Sequence, residues 1–108
     1  MENDLDDLLF EVETPLGFRV RVGRTYWQFL ITYKHPAMAS REAEVQSALT
    51  EPDEVRRSRT DANVLLFYKG TAVRRWTCAV CKRLNGDGFL ITAYPTDAIK
   101  EGDRIWPA

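Results

Sequence analysis

Residues 64–94, VLLFYKGTAVRRWTCAVCKRLNGDGFLITAY, decide the fold. The stretch is rich in β-branched and aromatic residues and is cut by two turn-forming clusters, Lys69-Gly70-Thr71 and Asn85-Gly86-Asp87-Gly88. Glycine and asparagine accept the positive φ of tight reversals, so the runs between them read as antiparallel strands. Strands are expected at about 64–69, 73–83 and 88–94, with another at about 55–59 before Thr60-Asp61-Ala62-Asn63. Side chains alternate along a strand. That puts Phe89, Ile91 and Ala93 on one side, expected to be core, and Thr92 and Tyr94 on the other. By the same rule Arg56 and Ser58 share a face, as do Val64, Leu66 and Tyr68.

Toward the N-terminus, Leu8 to Glu13 and Phe18 to Val22 flank Thr14-Pro15-Leu16-Gly17, a proline-then-glycine turn that predicts a hairpin. Over 25–34 the spacing predicts a helix capped by Thr25, with Tyr26, Leu30 and Tyr33 on one face. Ile31-Thr32 and the aromatics would also suit a strand there. Pro36 disfavours helical geometry at His35 and sets the imidazole at the end of this element. Ser40 suits the N-cap of a second helix, with Glu42 in its first turn, Val45, Ala48 and Leu49 as a buried stripe, and Pro52 as its stop. The tail from Asp97 reads as a short turn or helix, then Arg104-Ile105-Trp106, whose tryptophan docks on the body.

The expected fold is therefore α+β: two helices packed on a four-stranded antiparallel sheet over 25–108, with an N-terminal β-hairpin extension over 1–24. At 108 residues and 44% apolar, the chain can bury one core but not two. No run approaches the roughly 18 apolar residues of a membrane span. The acidic start, Met1-Glu2-Asn3-Asp4, is unlike a signal peptide, so a cytoplasmic location is expected. Cys78-Ala79-Val80-Cys81 lies in an expected strand, where a three-residue step sends the two sulfurs to opposite faces. With one histidine in the chain, the pair reads as two small hydrophobes, neither a zinc site nor a disulfide. No P-loop, GxGxxG or paired-carboxylate pattern is present, and neither metal nor cofactor is expected.

The net charge of −1 hides an asymmetry. Residues 1–13 hold six acids and no base, which leaves 15 bases against 10 acids in the rest. Arg56, Arg57 and Arg59 form one basic knot and Arg74 and Arg75 another, a field that attracts anions, although solvated strand arginines are common. A lone histidine, clustered arginines, hydroxyls and a tyrosine on one sheet face suit metal-free cleavage of a phosphodiester.

The order of these elements, with WQFLITYKHP at 27–36, PDEVRRSRTD at 52–61, Leu66-Phe67-Tyr68 and GFLITAYPTD at 88–97, resembles the phage-type members of the barnase, EndoU, colicin and RelE-like nuclease superfamily. The resemblance covers most of the chain. It implies a small metal-independent endoribonuclease, toxin-like or phage-related, in which the RNA 2′-hydroxyl attacks the adjacent phosphate on the exposed sheet face. It points to His35, Arg56, Ser58, Thr92 and Tyr94 as catalytic residues, His35 moving the proton because imidazole ordinarily titrates near neutrality. It points to Lys34, Arg57, Arg59 and Tyr68 as phosphate and RNA contacts, Arg56 and Arg57 together holding the phosphate. RNA is the implied partner, with room for a protein inhibitor or antitoxin. Each residue keeps a plainer account: His35 as a helix-end cap, Tyr68, Tyr94 and Thr92 as ordinary strand residues, Ser58 bonded to backbone. A catalytically idle RNA- or protein-binding relative, or a pure interaction module, stays open beside the nuclease.

Overall fold

The computed structural model describes residues 7–108, so the acidic start at 1–6 lies outside the described residues. The elements are β1 (Leu8–Glu13), β2 (Arg19–Gly23), α1 (Arg24–Phe29) running into a π-helical turn (Leu30–Lys34), a 3-10 turn (Pro36–Met38), α2 (Glu42–Thr50), β3 (Glu54–Arg57), β4 (Val64–Ala72), β5 (Arg75–Leu84), β6 (Asp87–Thr96) and β7 (Asp103–Trp106).

They build one α+β layer pair around a mixed sheet ordered β1-β2-β6-β5-β4-β3-β7. The four strands expected from sequence form its antiparallel centre, β6-β5-β4-β3. Among the described residues the sheet nevertheless has seven strands, not four. The N-terminal hairpin is no appendage: β2 runs parallel to β6, pairing Arg19 with Asp87 and Arg21 with Phe89. At the other edge β7 pairs antiparallel with β3. An unpaired strand edge leaves its N–H and C=O groups without partners, and both additions satisfy one.

Local chemistry accounts for the elements. Gly17, at φ 85, closes the first hairpin, where the Thr14 N–H donates to the Phe18 carbonyl at 2.9 Å. Asn85 and Gly86, at φ 52 and 89, make the β5–β6 reversal that Asn-Gly predicts. The β4–β5 reversal falls at Val73-Arg74, with Arg74 at φ 57, and not at Lys69-Gly70-Thr71, which lies inside β4. Gly70 serves there as a docking point instead, its N–H donating to Asp53 Oδ2 at 2.7 Å.

Both helices form where expected, with altered ends. Thr25 does not cap α1. Its N–H and hydroxyl donate to Asp7 Oδ1 at 3.2 and 2.8 Å, while Gly23 holds the N-cap position. The buried face carries Trp27 and Leu30, and Tyr33 stands 75% exposed rather than inside. The π turn explains the shift: the His35 N–H reaches back five residues to the Leu30 carbonyl at 2.8 Å, widening the turn and rotating Tyr33 outward. Ser40, at φ 66, is not the cap of α2; Arg41 is, without a side-chain bond. The stripe Val45, Ala48 and Leu49 is fully buried as predicted.

Two apolar clusters lie on the two faces of the sheet. The larger joins the α2 stripe to Val55, Leu65, Phe67, Ala79, Cys81, Leu90 and the hairpin residues Phe18, Val20 and Val22. The smaller, on the other face, comprises Leu66, Tyr68 and Cys78 with Trp76, Val80, Tyr94 and Ile99. Cys78 and Cys81 are free, buried and divided between them, as the three-residue step predicts. Trp106 packs against the larger cluster. No helix among the described residues is long and apolar enough to cross a membrane.

Candidate functional site

The β5–β6 ladder is broken by a bulge. Val80 pairs with Thr92 and Cys81 with Leu90, which leaves Ile91 as the extra residue. The bulge corrects the simple alternation: Leu90 and Ala93 enter the core, while Phe89 is 46% exposed. Thr92 and Tyr94 still share a face, the one away from α2. Two cross-strand rows run over it, Arg56–Leu66–Val80–Thr92 and Glu54–Tyr68–Cys78–Tyr94. Ser58 follows at the end of β3, its N–H donating to the Val64 carbonyl at 2.9 Å.

The bulge also fixes the helical segment. The Ile91 carbonyl accepts from the Tyr26 hydroxyl and from Lys34 Nζ, the latter at 3.0 Å. Lys34 Nζ also donates to Tyr26 Oη at 2.9 Å and lies over the Tyr26 and Phe29 rings. This stitch holds the π turn against the edge of β6. The next residue, His35, leaves helical geometry before Pro36, at φ −141 and ψ 80, and its ring sits 5.4 Å from that of Tyr94.

Beyond β6 the chain does not coil into a helix. Residues 97–102 form a strap that runs back across this face, because β6 ends beside Trp76 and β7 begins beside Arg57, at the opposite end of the sheet. Ile99 packs into the smaller cluster. Arg56 ties the strap down, Nη1 donating to the Gly102 carbonyl at 3.1 Å while Nε pairs with Glu54. Gly102 is required at φ 80, where a Cβ would stand 2.5 Å from the Arg57 carbonyl. Cavities of about 360 and 140 Å³ flank the strap, one beside Ser58 and Thr60, the other beside Tyr68 and Tyr94. Lys100 and Glu101 line both, and no carboxylate among the described residues forms an ion pair with Lys100.

His35, Arg56, Ser58, Tyr68, Thr92 and Tyr94 thus come to one face, with Lys34 at its edge. Arg57 does not. It pairs with core-facing Leu65 and points to the other side, so Arg56 and Arg57 cannot grip one phosphate together as expected. Arg59 is exposed and bonded to Asp103 at 3.0 Å, and Ser58 Oγ sits 3.0 Å from Thr60 Oγ1. Sequence reasoning missed the strap and Lys100. Gly102 is the one local sign of the strap, since the crossover that places Lys100 over the face is a long-range pairing of β7 with β3.

Burial decides what these groups do. It pushes the Cys78 thiol up to about 12, so this sulfur stays protonated and inert. Burial first, and Cys78 next, raise Tyr68 and Tyr94 above the usual phenol range, which makes both hydroxyls donors near neutrality and not bases. Thr92 Oγ1 is buried with no hydrogen-bond partner among the described residues. No group of three or more His, Cys, Asp or Glu among the described residues could hold a metal ion. No protein family, curated protein or solved structure matches this chain.

Proposed function

We propose that this protein is a metal-independent endoribonuclease of the barnase, EndoU, colicin and RelE-like kind, toxin-like or phage-related, acting on RNA in the cytoplasm and open to restraint by an inhibitor or antitoxin. The observation that carries the proposal is convergence. His35 rests against Tyr94, Thr92 shares that sheet face, and Tyr94 and Ser58, from distant stretches of chain, line two cavities that both reach Lys100. In this reading His35 takes the 2′-hydroxyl proton as the 2′-oxygen bonds to phosphorus. The bond to the 5′-oxygen then breaks and that oxygen takes a proton from water, to which His35 releases the one it accepted, leaving a 2′,3′-cyclic phosphate and a 5′-hydroxyl. Lys100 and the hydroxyls of Thr92 and Tyr94 supply cation and donors for the phosphate oxygens. Arg56, held by Glu54 and the strap, positions Lys100 through Gly102.

Two observations favour the idle, binding-only relative: the strap covers part of the face, and the Arg56 guanidinium is already engaged. The variant His35→Ala separates the two. A positioned acid or base contributes about 10²- to 10⁴-fold in rate. Cleavage should fall by that order with RNA affinity and melting near parental values. Parental cleavage rates in His35→Ala would make this residue structural, and a parent that binds RNA without cutting it would hand the function to the binding relative.

A further inference from the structure

On the sheet face opposite His35, Arg57 and Arg83 line one cavity of about 390 Å³ together with Asn63, Leu16 and Ile105. The register explains their meeting. Arg57 on β3 pairs with Leu65, Leu65 pairs with Cys81, and Arg83 stands two residues further along β5 on the same face. Among the described residues no carboxylate pairs with either guanidinium, whereas nearby Arg59 and Lys82 have Asp103 and Asp61. Two like charges facing one concavity repel each other unless an anion lies between them. Arg83 is also preset, its guanidinium carbon 4.7 Å from the centroid of the buried Phe18 ring, so little freedom is lost on binding.

We infer that this cavity binds a small phosphorylated molecule through a terminal phosphate held between Arg57 and Arg83. A carboxylate is satisfied by a single guanidinium fork. Two forks from different strands suit a tetrahedral dianion with three free oxygens. The volume lies near the lower end for small-molecule sites, room for a nucleoside monophosphate but not a large cofactor. Leu16 and Ile105, both half-buried, give the organic part an apolar wall. A phosphodiester within an RNA strand offers one charge and two free oxygens, a poorer match to the same two forks. The site stands apart from the nuclease reading, since the ligand is bound there and not cut.

Calorimetric titration of the full chain with inorganic phosphate, with adenosine 5′-monophosphate and with a dinucleotide whose only phosphate is a diester tests this. Saturable binding is expected for the first two, tighter for the nucleotide, and weakest for the diester. Loss of one charge-assisted contact weakens binding about tenfold or more. Arg57→Ala and Arg83→Ala should each show that loss with unchanged melting, while Arg75→Ala, at the far end of β5, keeps parental binding. Arg57→Lys should recover little, because an ammonium lacks the fork. Absence of saturable binding by phosphate and nucleotide, diester binding as tight as the monoester, or parental affinity in both alanine variants would overturn the inference.

Discussion

His35 is placed by residues that make no chemistry of their own. The Ile91 carbonyl, freed by the bulge, is held by Tyr26 and Lys34, and that stitch sets the imidazole against Tyr94. That Thr92 and Tyr94 share a face was legible from the period of 2, and that His35 ends its helical segment was legible from Pro36, because both are local signals. Phe89 was placed wrongly, since a single inserted residue shifts the alternation and leaves no mark in composition. A testable consequence belongs to Cys78 and its tyrosine neighbours. Burial raises the Cys78 thiol from 9.0 to about 12 and also raises Cys81, Tyr68 and Tyr94. Above the unfolded pKa the unfolded chain sheds protons that the folded chain retains, so stability is full below about pH 9 and falls as pH climbs toward 12. Urea midpoints should therefore decline from about pH 9 upward, and in the double Cys78→Ala, Cys81→Ala variant the decline should begin nearer 10, where the tyrosines take over. A midpoint that stays flat into that alkaline range would show that these groups titrate alike in both states.

At the scale of elements, the readable parts were those with short-range causes: the hairpin at Gly17, the Asn85-Gly86 reversal and the stripe of α2. The π turn, the strap and β7 were not readable, because each depends on partners far along the chain. Arg56 shows the cost of that blindness. Its place in a basic knot suggested phosphate binding, whereas the structure commits it to Glu54 and to the Gly102 carbonyl. Arg56→Ala removes both contacts and leaves the half-buried Glu54 carboxylate without its cation, a loss of about 1–3 kcal/mol. The damage should be local first. Amide exchange over residues 97–102 should quicken more than exchange in α2 or β5, and protease nicking should concentrate in the strap. Equal protection of the strap in parent and variant would mean that Ile99 and Thr96 hold it without Arg56.

For the molecule as a whole, the two faces of the sheet carry different groups. The face under the strap gathers His35, Thr92, Tyr94, Ser58 and Lys100, and the opposite face gathers Arg57 and Arg83. Chelator-treated pure protein incubated with mixed RNA, followed by analysis of product ends, tests the central claim most directly. Internal attack by the 2′-hydroxyl predicts cleavage undiminished by chelator, with 2′,3′-cyclic phosphate and 5′-hydroxyl ends. Cleavage abolished by chelator and restored by a divalent ion, or intact RNA throughout, would contradict it.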